Sequence, residues 1–187
     1  MTEIARELMI DRAAAARRRI QEQIAEQVRE LGVDGTPLEQ VAGLSGHEFL
    51  GRWMQPEIPP PPAIAVLFGM EWLEVSEGRV VLALDPAQWM FNPLGMIHGG
   101  VAATLLDTAL GSAVHTTLPP ATGYATTDLH IRYLRAMNVE TGRVVATATA
   151  VHSGRRNATA EGRIEAEATG KVIATGTAGC TILRASE

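Results

Sequence analysis

The 187-residue sequence predicts an α+β fold in which one antiparallel sheet wraps around a single apolar helix. Three observations lead there. Residues 99–116 lack proline and are apolar nearly all round, so the helix they form must be covered on most sides. Two strand-like segments precede that helix and four follow it, with short turns between them. Leu129, Ile131 and Tyr133 alternate with His130 and Arg132, the period of a half-buried strand.

The elements read as follows in chain order. Residues 3–31 contain no Gly or Pro and are rich in Ala, Arg, Glu and Gln, which predicts one helix roughly 40 Å long. Its apolar residues recur three or four apart within each group: Ile4 and Leu8, then Ile20, Ile24, Val28 and Leu31. Gly32 is the expected stop, and the turn-rich Asp34-Gly35-Thr36-Pro37 follows. This segment reads as a packing or oligomer-supporting appendage, with Arg17-Arg18-Arg19 on a solvated face. Residues 46–54 suit a short helix, and Pro56 with Pro59 to Pro62 marks a linker. Residues 1–45 are therefore taken as an N-terminal helical extension and 46–187 as the main domain. Within it, Met70 to Val75 and Arg79 to Leu84 read as a hairpin around Ser76-Glu77-Gly78. An irregular stretch with Pro86, Pro93 and Gly95 leads to His98 and the long helix, which Leu118-Pro119-Pro120 closes. Gly111 is an unfavourable residue inside it. Strands are then expected at Ala125 to Leu134, Gly142 to His152, Asn157 to Ala168 and Lys171 to Leu183.

Composition narrows the function classes. Hydrophobic residues make up 46%, enough for a full core. The net charge of −5, from 16 basic and 21 acidic side chains, argues against a general nucleic-acid binder. The one cysteine, Cys180, precludes a disulfide within the chain and reads as a small buried hydrophobe. No apolar run reaches transmembrane length and the N-terminus lacks signal-peptide order, so a cytoplasmic protein without a membrane partner is expected. His115, His130 and His152 fit no metal-ligand spacing, and no metal is expected.

Chemistry concentrates on the long helix. Between Gly99 and Val114 the only ionisable side chain is Asp107, flanked by Leu105, Leu106, Ala109 and Leu110. A carboxylate there is costly unless it is paired or used. It could act as a general base, or simply be satisfied by hydroxyls such as Thr104 or Thr108. Gly99 and Gly100 sit at the helix start, where backbone N–H groups are free and a partial positive charge gathers. Such a turn suits a developing oxyanion; equally, it suits a tight loop-to-helix connection. Gly99 and Asp107 are eight residues apart, so the helical rise separates them by roughly 12 Å. Both must lie within about 3 Å of one reacting group to serve it. Two antiparallel helices in a twofold dimer satisfy this where one helix does not, which predicts a homodimer with two composite sites.

Asn92-Pro93-Leu94-Gly95-Met96-Ile97-His98-Gly99-Gly100, with Asp107 at its spacing downstream, resembles the hotdog-fold acyl-CoA thioesterases of the PaaI (phenylacetate-pathway) type. So do the segments Thr126 to Arg135 and Gly154 to Glu161, and the resemblance covers about residues 46–183. It implies a hotdog fold, homodimers that often pair into homotetramers, and hydrolysis of a CoA thioester with no cofactor. Asp107 matches the catalytic acid, as general base on water or as nucleophile. Gly99 matches the residue whose N–H polarises the thioester carbonyl, with Gly100 beside it. His98 and Asn92 match groups that orient the thioester and the water, and Thr126 matches a hydroxyl beside that water. Arg155 and Arg156, with Arg135 as a further candidate, match a region that often contacts CoA phosphates. The family does not usually need residues 1–45. A hotdog-fold dehydratase fits the His-Gly-Gly and Asp107 poorly. A non-catalytic acyl-CoA binding or sensing protein would have no need of a buried carboxylate. Aromatic content of 4% does not indicate which acyl group is bound.

Overall fold

The computed structural model describes residues 3–30, 43–54 and 62–184. Among the described residues the α-helices and strands follow in the order α1 (Glu3–Glu30), α2 (Gly46–Arg52), α3 (Ala63–Phe68), β1 (Glu71–Ser76), β2 (Arg79–Leu84), α4 (Gly99–His115), β3 (Thr122–Tyr133), β4 (Val144–Ser153), β5 (Asn157–Ala166) and β6 (Val172–Arg184). Most bounds differ from the sequence expectation by one or two residues. Larger departures are the early start of β3, the helix α3 after the proline run, and one 3-10 turn at Gln88–Met90 in the irregular stretch. The expected Gly32 stop, the turn at 34–37 and most of the proline linker lie outside the described residues.

The strands form one antiparallel sheet in the order β1-β2-β4-β5-β6-β3, and α4 packs against five of them. This is the hotdog architecture. Leu105, Leu106, Leu110 and Val114 of α4 are fully buried against Leu82, Leu84, Val144 and Ile164. Burying each such side chain contributes about 2 kcal/mol. Alanines occupy much of the sheet's inner face: Ala146 and Ala148, Ala158 and Ala160, Ala174 and Ala178. Their small volume lets the helix seat close to the strands.

Sequence and tertiary contacts agree on where α4 begins and ends. His98 is its N-cap, its side chain accepting the Gly100 N–H. At the other end Thr116 and Thr117 hydroxyls donate to the carbonyls of Ala113 and Val114, among the last carbonyls of the helix. The unfavourable Gly111 has a packing reason. A Cβ there would lie 2.6 Å from Tyr124 Cε2, because the tyrosine ring crosses the helix at that turn. Gly111→Ala is therefore expected to destabilise the fold. The overpacking cost of about 1–3 kcal/mol outweighs the helix-propensity gain of about 1 kcal/mol. Denaturant unfolding measures the difference.

As expected, α4 is covered on most sides; Gly99, Gly100, Ala103, Thr104, Asp107 and Thr108 remain half-buried. Their spacing puts them on one stripe, which the single-chain sheet does not reach. On α1, Met9, Ile10 and Ile20 are each more than half exposed.

Candidate active site

Asp107 and Thr126 are brought together by α4 and the edge strand β3. The Thr126 hydroxyl donates to Asp107 Oδ1 at 3.0 Å. The alternative partners expected for Asp107 are engaged elsewhere: Thr104 donates to the Gly100 carbonyl and Thr108 to the Thr104 carbonyl. Asp107 thus keeps its second oxygen available on a half-buried stripe.

A β-bulge is what aims Thr126. Leu129, Ile131 and Tyr133 set one phase of the strand, and strict alternation would turn Thr127 toward the helix and Thr126 away. The register of β3 on β6 instead slips between Thr126 and Asp128. The extra residue reverses the phase, so Tyr124 and Thr126 also face α4. Cys180 pairs with Thr126 in this register and is 2% exposed, as the small buried residue expected. Burial, and then the Asp107 charge, push its thiol above the ordinary range, with only a partial offset from Thr126. Burial likewise raises the Tyr124 phenol, with smaller contributions from Cys180 and Asp107. Both neighbours stay neutral, so the cluster contains no thiolate or phenolate to compete with the carboxylate.

The first turn of α4 forms a second centre. The Gly100 N–H donates to His98 Nδ1 at 2.9 Å and the Val101 N–H to the His98 carbonyl at 2.9 Å. Among the described residues the Gly99 N–H has no acceptor, so it is open to a ligand. A cleft of about 250 Å³ lies here, walled by Asn92, Met96, His98, Gly99, Tyr133 and Arg135. Asn92 shapes its rim: the side-chain carbonyl accepts the N–H groups of Leu94 at 2.9 Å and Met96 at 3.2 Å. Arg135 is held at the rim by donating to the Val172 carbonyl.

Asp107 and Thr126 do not line this cleft. The structure therefore divides the expected site residues into two groups. Asn92, His98, Gly99, Gly100 and Arg135 gather at the helix start, and Asp107 and Thr126 two turns along. Arg155 and Arg156 are exposed in the β4–β5 turn. The pairings Ala158–Cys180 and Cys180–Thr126 place Ala158, two residues beyond Arg156, two strand spacings or about 10 Å across the sheet from Thr126. A larger groove of about 860 Å³ lies on the outer sheet face among Arg79, Arg132, Arg163 and threonines. It contains none of the expected site residues.

Sequence reasoning missed three neighbours. Tyr133 donates to the Gly99 carbonyl at 3.1 Å; its shared phase with Leu129 and Ile131 was the available signal. Tyr124 was signalled only by the odd Gly111. Nothing in the sequence pointed to Cys180 as a neighbour of Asp107.

Residues 94–173 match the sequence profile of the Thioesterase superfamily. A Halobacterium salinarum protein whose esterase assignment is itself provisional is 37% identical over 98 residues, 50% of this chain and 63% of that protein. The matched segment thus spans less than two thirds of that relative's length. The 1,4-dihydroxy-2-naphthoyl-CoA hydrolase of Listeria monocytogenes is 28% identical over 87 residues, 46% of this chain and 69% of the hydrolase. Among solved structures, the PaaI protein of the E. coli phenylacetic acid degradation operon superposes with a TM-score of 0.63 at 20% identity, covering 80% of this chain and 99% of that one. No described helix is long and apolar enough to cross a membrane.

Proposed function

We propose that this protein, whose residues 94–173 match the Thioesterase superfamily profile, hydrolyses an acyl-CoA thioester to a carboxylic acid and CoA. The observation that carries the proposal is the Asp107–Thr126 pair on the same half-buried stripe as the unengaged Gly99 N–H. A carboxylate and an oxyanion donor are the two groups that cofactor-free thioester hydrolysis requires.

In this reading Asp107 takes a proton from water held beside Thr126, and the resulting hydroxide adds to the thioester carbon. Negative charge develops on the carbonyl oxygen, where a Gly99 N–H stabilises it. Collapse breaks the C–S bond, and the CoA thiolate takes the proton held on Asp107, leaving as the thiol and restoring the carboxylate. The other route makes Asp107 the nucleophile, with a mixed anhydride that water then hydrolyses. Single turnover in ¹⁸O-labelled water separates the two, since only the second route places label in Asp107.

The site is proposed to be completed by a second copy of the chain. One α4 keeps Gly99 and Asp107 roughly 12 Å apart. β3 offers the means of pairing, as a 12-residue edge strand bonded only to β6. The opposite edge, β1, has six residues and a register slip that blunts it. A long uncovered edge invites another strand. Isologous β3 pairing sets two α4 helices antiparallel and brings the partner subunit's Gly99 toward Asp107. A CoA ester substrate also fits the cytoplasmic setting expected from the sequence.

The functional test is a panel of acyl-CoA esters with released thiol trapped. Binding without thiol release on any ester would replace hydrolysis with the sensing role. Arg155 and Arg156 are proposed to hold CoA phosphates. Changing both to Ala is expected to raise KM for CoA esters about tenfold, as charged hydrogen bonds are lost. KM for the matching pantetheine thioester, which lacks the nucleotide, should not move.

A further inference from the structure

The Gly99–Gly100 peptide is held at both ends. Its carbonyl accepts from Tyr133 Oη at 3.1 Å, and its N–H donates to His98 Nδ1 at 2.9 Å. The tyrosine ring lies flat enough on the turn that a Cβ on Gly99 would sit 3.3 Å from Tyr133 Cζ. The three groups form one chain, Oη–H to O=C–N–H to Nδ1. Donation to a peptide oxygen polarises that peptide and strengthens its N–H as a donor. An Nδ1 that accepts a hydrogen bond places the neutral imidazole proton on Nε2.

We propose that Tyr133 is a positioning residue that acts through the Gly99–Gly100 peptide to hold His98 in its Nε2–H tautomer. The inference rests on reading His98 and Gly99 as the groups that meet the thioester. Tyr133 does two things in this arrangement. By anchoring the peptide it commits the Gly100 N–H to His98, which leaves the Gly99 N–H as an open donor of the turn. By way of the same peptide it turns His98 into a fixed donor at Nε2, beside that N–H in the cleft. Two donors with settled direction can orient a carbonyl; an imidazole free to exchange tautomers would present a lone pair there for part of the time. Tyr133 also has the placement for this role, because it follows Leu129 and Ile131 on the face of β3 turned toward α4.

Tyr133→Phe tests the proposal with little risk to the fold, since the side chain is 53% exposed and the ring is kept. One arm is kinetic. Loss of one neutral hydrogen bond to the turn should lower kcat about five- to tenfold and leave KM within about twofold. The second arm needs no substrate. Long-range ¹H–¹⁵N correlation of the imidazoles, with His98 assigned by its substitution, should show a single Nε2–H tautomer in the native protein. Tyr133→Phe should show a mixture. Tyr133→Leu, which removes the ring as well, should show the same mixture and in addition a raised KM, because a wall of the cleft is gone. An unchanged His98 tautomer in Tyr133→Phe overturns the proposal, whatever the kinetics. A shifted tautomer in a protein that hydrolyses no acyl-CoA would uphold the positioning role and sink the thioesterase reading instead.

Discussion

Asp107→Asn is expected to lower kcat for acyl-CoA hydrolysis by about a thousandfold, the usual contribution of a general base, with KM little changed. Asparagine keeps the side chain's size and can still accept the Thr126 hydroxyl at the distance of 3.0 Å seen for Asp107. It cannot take a proton from water. The half-buried setting means that no buried ion pair is broken, so the variant should fold, and its thermal midpoint should match or exceed the native value. The partner Thr126→Ala separates positioning from proton transfer: a loss of about tenfold is expected there, the worth of one hydrogen bond to a charged group. Native rates in Asp107→Asn, with fold intact, would remove Asp107 from the mechanism.

The second large effect comes from Gly99→Pro. Proline at the first helical position removes one N–H and otherwise suits a helix start. His98 already has φ −61 and ψ 135, the extended geometry required before proline. The one crowded neighbour is Tyr133, whose half-exposed ring can move by a few tenths of an ångström. The substitution therefore deletes the proposed oxyanion donor almost alone, and kcat should fall about a hundredfold or more. Mixing this variant with Asp107→Asn under subunit exchange then reports on the composite site. Half of the randomly formed dimers carry one intact site of two, so about a quarter of native activity should return. If heterodimers form and no activity returns, both groups serve from one chain and the dimer argument is wrong.

How far the sequence reaches is clearest at particular residues. The apolar run from Val101 to Val114 permits only a covered helix, and the turns around it leave room only for strands. Asp107 stands out because it is the sole ionisable group in that run, and Gly99-Gly100 because a glycine pair at a helix start leaves its backbone N–H groups approachable. These signals are local: each depends on residues within a few positions of one another. Even the separation of Gly99 from Asp107 follows from helical rise alone.

The sequence by itself determined the helix, the number of strands and their order along the chain, and the positions on α4 of the groups proposed to react. Only the tertiary structure decided what meets them. Alternation along β3 predicts Thr127 inward, yet Thr126 bonds to Asp107, because the bulge after Thr126 reverses the strand's phase. That reversal arises from pairing with β6, some fifty residues later in the chain. The Gly111–Tyr124 fit and the anchoring of the Gly99 peptide by Tyr133 are likewise contacts between distant segments. So is the grouping of the candidate residues into two clusters, since the half-buried stripe on α4 exists only because a curved six-stranded sheet reaches partway around a helix. Periodicity encodes which face of an element is apolar; register and close approach depend on the partner it packs against.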